Sequence, residues 1–95
     1  MYEKMLNRMR DDIRTRQYVM TLRAEEEMTD DMLSIFDVER IILTGKIIEW
    51  QKDHVTEEWK YIIEGETISA GMAVVVVKLS VTGKLVIITV YKIWG

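Results

Sequence analysis

Cysteine and proline are absent from the 95 residues, and histidine occurs once, at His54. Without cysteine there is no disulfide framework and no thiolate zinc site. One histidine cannot build a histidine cluster. The lack of proline leaves glycine and small polar residues to mark the turns. No apolar run approaches the ~20 residues that span a bilayer. The N-terminal segment carries charge throughout and has no signal-peptide core. The expectation is a soluble cytoplasmic protein with no cofactor, no metal and no membrane association.

What is present suits one small domain over residues 1–95: 48% apolar residues for a packed core and 31% charged residues for a solvated surface. The net charge of −3 is unevenly spread, at +3 over residues 1–23, −9 over 24–67 and +3 over 68–95. If the two ends meet in space they make a local positive patch on an acidic protein; otherwise these are ordinary solvated faces.

Met1, Met5, Met9 and Ile13 recur at i, i+4 with Leu6 beside them, which predicts a helix over 1–15 packed on the domain or on a partner. "RQYVMT" reads as a short strand and "LRAEEEM" as a helix of two turns, broken at Asp30 and Asp31. In "SIFDVERIILTG", Ser34 and Asp37 make a capping box. Phe36, Val38, Ile41, Ile42 and Leu43 form the expected apolar face, and Gly45 the left-handed stop. The period then changes to two. "KIIEWQK", "EWKYIIEG", "MAVVVVKLS" and "LVIITVYKI" read as a four-stranded antiparallel meander. The last two strands are apolar on both faces, so the helices can cover one face while the other needs the N-terminal helix, a partner chain or a binding role. The fold expected is α+β, with N-terminal helices packed on a four-stranded antiparallel sheet.

Three blocks, "TLRA", "DVERIILTGKIIE" and "ITVY", stand in order over residues 18–91. They resemble a bacterial and archaeal family known as domain of unknown function 4258, whose members carry T-x-H-A, D-V-E-x-x-I-x-x-G-x-I-I-E and I-T-V-Y. The helix at 1–15 falls outside that likeness and looks like an added element. The family in turn is similar to the RelE and MqsR toxin ribonucleases, of small α+β fold. That resemblance implies the toxin half of a toxin–antitoxin pair, metal-independent RNA cleavage or ribosome association, and an antitoxin-like partner with a zinc-binding domain. One position departs from the pattern: Arg23 stands where the family has histidine. Arginine stays protonated and cannot act as an ordinary general base, though it can hold a phosphate. The resemblance therefore implies a chain that is weakened, inactive or working differently.

Cleavage of RNA without metal needs proton transfer at the 2′-hydroxyl and the leaving oxygen, and cations for the phosphate. The candidates are Arg23, Tyr91 and Lys78. Pairing Leu79 with Leu85 places Ala73 opposite Tyr91 and leaves Lys78 toward the turn, on the other face. Arg23 with Tyr91 is then the better pair. Each has a structural reading beside the functional one: helix-surface charge for Arg23, core-edge tyrosine for Tyr91, strand-edge guard for Lys78. Trp50 and Trp59 read as cross-strand packing, and His54 as a surface-loop residue. Against the ribonuclease stands a non-catalytic interaction module, acting as a homodimer or through an antitoxin-like partner. A continuous positive groove around Tyr91 favours the first; a flat apolar face favours the second.

Overall fold

The computed structural model describes residues 3–95. The elements run α1 (Glu3–Arg14), β1 (Tyr18–Met20), α2 (Leu22–Asp30), α3 (Ile35–Thr44), β2 (Lys46–Lys52), β3 (Trp59–Glu66), β4 (Met72–Leu79) and β5 (Leu85–Trp94). The architecture is α+β, but the sheet is not the expected four-stranded antiparallel meander. It has five strands in the order β1-β5-β4-β3-β2, and β1 joins it parallel to β5, with Tyr18 opposite Leu85 and Met20 opposite Ile87. The partners in that pairing are 67 residues apart, so no turn chemistry announces it.

All three helices pack on one face of the sheet. Met9 and Ile13 of α1, Ala24 of α2, and Val38, Ile41 and Ile42 of α3 are buried in a single core. From the sheet that core takes Ile63, Ala73, Val75, Val77, Leu85, Ile87 and Val90. Met1 lies outside the described residues, but the rest of the methionine stripe faces inward. α1 therefore does not cover the second face. Its Arg10 instead reaches the C-terminal end of α3, where Nε donates to the Ile42 carbonyl at 3.0 Å and Nη2 to the Gly45 carbonyl at 2.9 Å. A guanidinium there satisfies carbonyls that the helix leaves unpaired and meets the negative end of its dipole.

The "DVE" segment is fully occupied by folding. Asp37 Oδ2 accepts from the Ser34 N–H at 2.8 Å, completing the capping box, and Oδ1 accepts from the Ile68 N–H at 2.8 Å, tying the β3–β4 turn to α3. Val38 is wholly buried. Glu39 accepts the phenol proton of Tyr18 at 2.8 Å. Burial and then the neighbouring Glu39 carboxylate push that phenol above its ordinary range. Phe36 departs from the expected apolar face: it is 64% exposed. It lies in the first turn of α3, beside the buried Asp37, and Asp37 takes the inward position because its carboxylate has two backbone groups to serve.

Gly45 is also placed differently. Its φ of −82° and ψ of −165° are extended, not left-handed. A Cβ there would lie 2.4 Å from the Glu64 and Ile41 carbonyl oxygens, and a Cβ at Gly65 would lie 3.1 and 3.2 Å from Ile41 Cα and Gly45 Cα. The two glycines let α3 and β3 approach backbone to backbone.

Burial pushes the Asp37 carboxyl up. The backbone N–H groups of Ser34 and Ile68, the Ser34 hydroxyl and the Lys92 charge outweigh it and hold its pKa below the ordinary 3.8. A depressed carboxylate contributes stability above its unfolded pKa and loses it as pH falls through the lower folded value. Urea midpoints of the native chain should therefore fall as pH drops below 3.8. Asp37→Asn should cost about 1–3 kcal/mol near neutral pH, from hydrogen bonds weakened at a buried site, and should flatten that acid dependence.

Candidate functional site

The T-x-H-A block sits where β1 ends and α2 begins. Thr21 Oγ1 caps α2 by accepting from the Ala24 N–H at 3.1 Å, and donates to the Ile88 carbonyl at 3.0 Å. The Thr21 N–H bonds the Ile87 carbonyl at 3.0 Å. Ala24 is wholly buried, where a larger side chain would overpack the core. Thr21 and Ala24 therefore position the start of α2 against β5. Arg23 has no such duty: its side chain is 74% exposed, and its ion pair is with Glu27 at 3.5 Å, one helical turn on. An exposed i, i+4 pair of this kind stabilises by a few tenths of a kcal/mol at most, about 0.3–0.5.

Glu27 shows what the acidic run does. Its Oε1 accepts from the Val90 N–H at 3.3 Å, and Asp31 Oδ2 accepts from the Lys92 N–H at 2.8 Å. β1 covers the outer edge of β5 only through Ile87. Beyond that point α2 lies along the same edge, and its carboxylates replace the missing strand. The periodicities match: four helical residues rise about 6.0 Å, and two strand residues advance about 6.6 Å. Glu25 and Glu26 stay exposed. Sequence reasoning missed this role for Glu27 and Asp31, although their i, i+4 spacing ahead of a long strand was the available signal.

Tyr91 and Lys78 lie on the sheet face away from the helices. Leu79 does pair with Leu85, but a bulge at Ile88 shifts the ladder, so that Val74 and not Ala73 stands opposite Tyr91. That one extra residue turns Tyr91 onto the face that carries Lys78, correcting the opposite-face expectation. The two remain apart: Lys78 is level with Val86, four residues along β4 from Val74, or about 13 Å. Lys78 donates to Glu58 Oε1 at 3.1 Å. Tyr91 is 44% exposed, and its hydroxyl has no hydrogen bond among the described residues. Arg23, Tyr91 and Lys78 thus make no polar contact with one another. None of them lines either of two shallow clefts, one of about 230 Å³ beside Trp59, Tyr61 and Leu79, and one of about 320 Å³ beside Leu22, Glu25 and Asp30.

The surroundings of Tyr91 are apolar. The open face carries Val19, Val86, Thr89, Tyr91 and Trp94 on β1 and β5, Val74 and Val76 on β4, and Ile62 on β3. Val74 is only 2% exposed although it belongs to no helix-side cluster. Lysines near this surface are matched by acids: Lys78 by Glu58, and Lys60 by Asp53 at 3.5 Å. No continuous positive groove surrounds Tyr91. Trp50 and Trp59 pack edge to face at 4.5 Å on the helix side, and Lys52 Nζ lies 5.8 Å from the Trp59 ring centre. His54 is exposed in the β2–β3 loop. Among the described residues no three His, Cys, Asp or Glu side chains cluster as a metal site, and no helix is long and apolar enough to cross a membrane.

The model of the family "Domain of unknown function (DUF4258)" matches residues 20–92, and the chain belongs to that family. The match leaves α1 and most of β1 outside it. No curated protein and no solved structure gives a significant match.

The edge-closing role of α2 predicts a local readout. Glu27→Ala and Asp31→Ala should each accelerate amide hydrogen exchange at their own strand partner, Val90 and Lys92 respectively, and lower stability by about 1–3 kcal/mol through an unpaired backbone donor. Arg23→Ala should leave both amides nearly as protected as in the native chain.

Proposed function

We propose that this domain is a binding module that docks a protein through the open face of its sheet. The observation that carries the reading is the contrast between a helix side that holds the buried core and a largely apolar face that no helix covers, with Val76, Ile62 and Thr89 half-buried at its centre. An apolar sheet face left in water favours association, because burying it releases about 25 cal/mol for each Å² removed from solvent. The balance of charge argues the same way, since each lysine beside that face already has a carboxylate partner or neighbour. The partner is a second copy of the chain or an antitoxin-like protein.

The second reading is a metal-independent ribonuclease of the RelE and MqsR kind, a toxin with Arg23 in place of its histidine. Two observations favour it. The side chain at position 23 is exposed and engaged only with Glu27, and the Tyr91 hydroxyl is unengaged on the open face among the described residues. Against it, the three candidate residues are dispersed and their cations neutralised, so no proton donor and acceptor stand together at a phosphate-sized site.

Two measurements separate these readings. A photoactivatable side chain at Val76, carried by the full chain during expression in bacteria, should form covalent protein adducts, and the same group at Glu26 should form none. Absence of adducts at Val76 overturns docking through this face. In parallel, expression of the native chain and of Arg23→His should leave growth and bulk RNA intact. Growth arrest with RNA degradation by either form overturns the binding reading in favour of the ribonuclease.

A further inference from the structure

We propose that Asp12 makes α1 a protonation-sensitive clasp: the helix opens from the domain as a unit, and a proton on the Asp12 carboxylate closes it. The proposal is independent of the open-face reading, since α1 lies on the other side of the sheet.

The forces on α1 are mixed. Met9 and Ile13 are buried in the core, with Met5 and Leu6 packed partly buried against it. Arg10 bonds the Ile42 and Gly45 carbonyls. Asp12 works against these. It follows Met9 by three residues and precedes Ile13, so it stands at the margin of the buried face and is itself half-buried. Its Oδ2 is closed off from solvent and has no hydrogen-bond partner among the described residues. An ionised oxygen in that position has lost water and gained no donor. The cost falls on the docked helix alone, because the oxygen returns to water when α1 leaves the core. A neutral carboxyl is cheaper to bury, so protonation relieves it.

The connection suits local opening. α1 is joined to the remaining elements only through residues 15–17, where Arg16 takes a left-handed φ of 59° that costs a non-glycine residue energy. The sheet begins after that joint, at Tyr18, so the departure of α1 breaks no strand ladder. Terminal segments with few bonds to the rest of a domain are drawn from the low end of local stability.

The charges nearby do not cancel the penalty. Burial pushes the Asp12 carboxyl above the ordinary 3.8; Arg8, one turn back, draws it down, and Asp11 beside it pushes it up. The Arg8 guanidinium lies against the β4–β5 turn, with Nη2 2.7 Å from where a Cβ on Gly83 would sit. Asp11 pairs with Arg14. α3 and β5 pack against α1, and their charged groups are committed elsewhere. Glu39 holds Tyr18, Arg40 pairs with Glu66, Asp37 serves Ser34 and Ile68, and Lys92 acts on Asp37. Arg16 bears on the Tyr18 phenol, and Lys84 makes no ion pair among the described residues.

A carboxyl whose value is raised on docking binds its proton more tightly in the closed state. Docking therefore tightens as pH falls through the raised value, and the gain is complete below 3.8. Asp37 runs the other way and loses its contribution below 3.8. The two windows adjoin, so the response of α1 is read apart from the acid loss at Asp37.

Amide hydrogen exchange of the full chain, corrected for the intrinsic rate at each pH, tests the clasp. At neutral pH the Met9 and Ile13 amides should be less protected than those of Val75 and Ile87 in the central strands. Their protection should rise as pH is lowered from neutral to 3.8. The rise should be about fivefold, the low end for relieving an unpaired buried acceptor. Asp12→Asn imitates the protonated acid and should hold the higher protection at every pH, abolishing the dependence. Arg10→Ala should lower the protection of α1 and leave its pH response in place. The Val75 and Ile87 amides serve as the folding control in each chain. Exchange of α1 only together with those core amides overturns the proposal. So does a native α1 that shows no pH response, or a response that survives in Asp12→Asn or disappears in Arg10→Ala.

Discussion

β5 is ten residues long, yet β1 offers only three residues to its outer edge. The amides of Val90 and Lys92 beyond that point would be left without partners beside a packed core, at a cost of about 1–3 kcal/mol each. Glu27 and Asp31 remove that cost by turning one side of α2 into a substitute edge. Much else follows from this closure. It fixes α2 lengthwise on β5 and buries Ala24 against the core. It also holds Thr21 at the helix entry and leaves Arg23 facing solvent. A protected edge matters for a domain whose face is apolar, because an open edge and an open apolar face together invite uncontrolled strand addition.

The family blocks read in this light as folding instructions more than as chemistry. Asp37 caps α3 and anchors the β3–β4 turn, Glu39 holds the Tyr18 phenol, and Gly45 permits backbone contact between α3 and β3. Ile47 and Val90 complete the core. Position 23 and Tyr91 are polar positions in these blocks where the side chain is exposed and the fold asks little of it. Any activity common to the family would be sought there first, and in this chain the first of the two is an arginine engaged with Glu27.

The open face and the N-terminal helix are linked by the same economy. α1 spends its methionine stripe on the helix side, and Arg10 spends its charge on the carbonyls at the end of α3. Nothing in α1 remains to cover the second face. A helix that the periodicity alone permits on either side is thereby committed to one, and the face it leaves is apolar at its centre and carries charges of both signs along β3.

Local chemistry settled much of this protein in advance. Helical spacing set α1, the Ser34–Asp37 box set the start of α3, and alternation set β2 to β5 and assigned Val74, Val76 and Lys78 to the face opposite Val75 and Val77. Each depends on neighbours within a few residues, which the order of side chains encodes directly. Tertiary contacts decided the rest. The parallel seat of β1, the carboxylates on β5 and the conformation of Gly45 depend on partners that sequence proximity does not reveal. The bulge at Ile88 belongs with them: one unpaired residue reverses the face of Thr89 to Lys92, so Tyr91 shares a face with Lys78, and a second shift at Ile93 returns Trp94 to that face. The strand pattern is apolar on both sides there, and with period two equally satisfied by either register, only packing against the helices could choose between them.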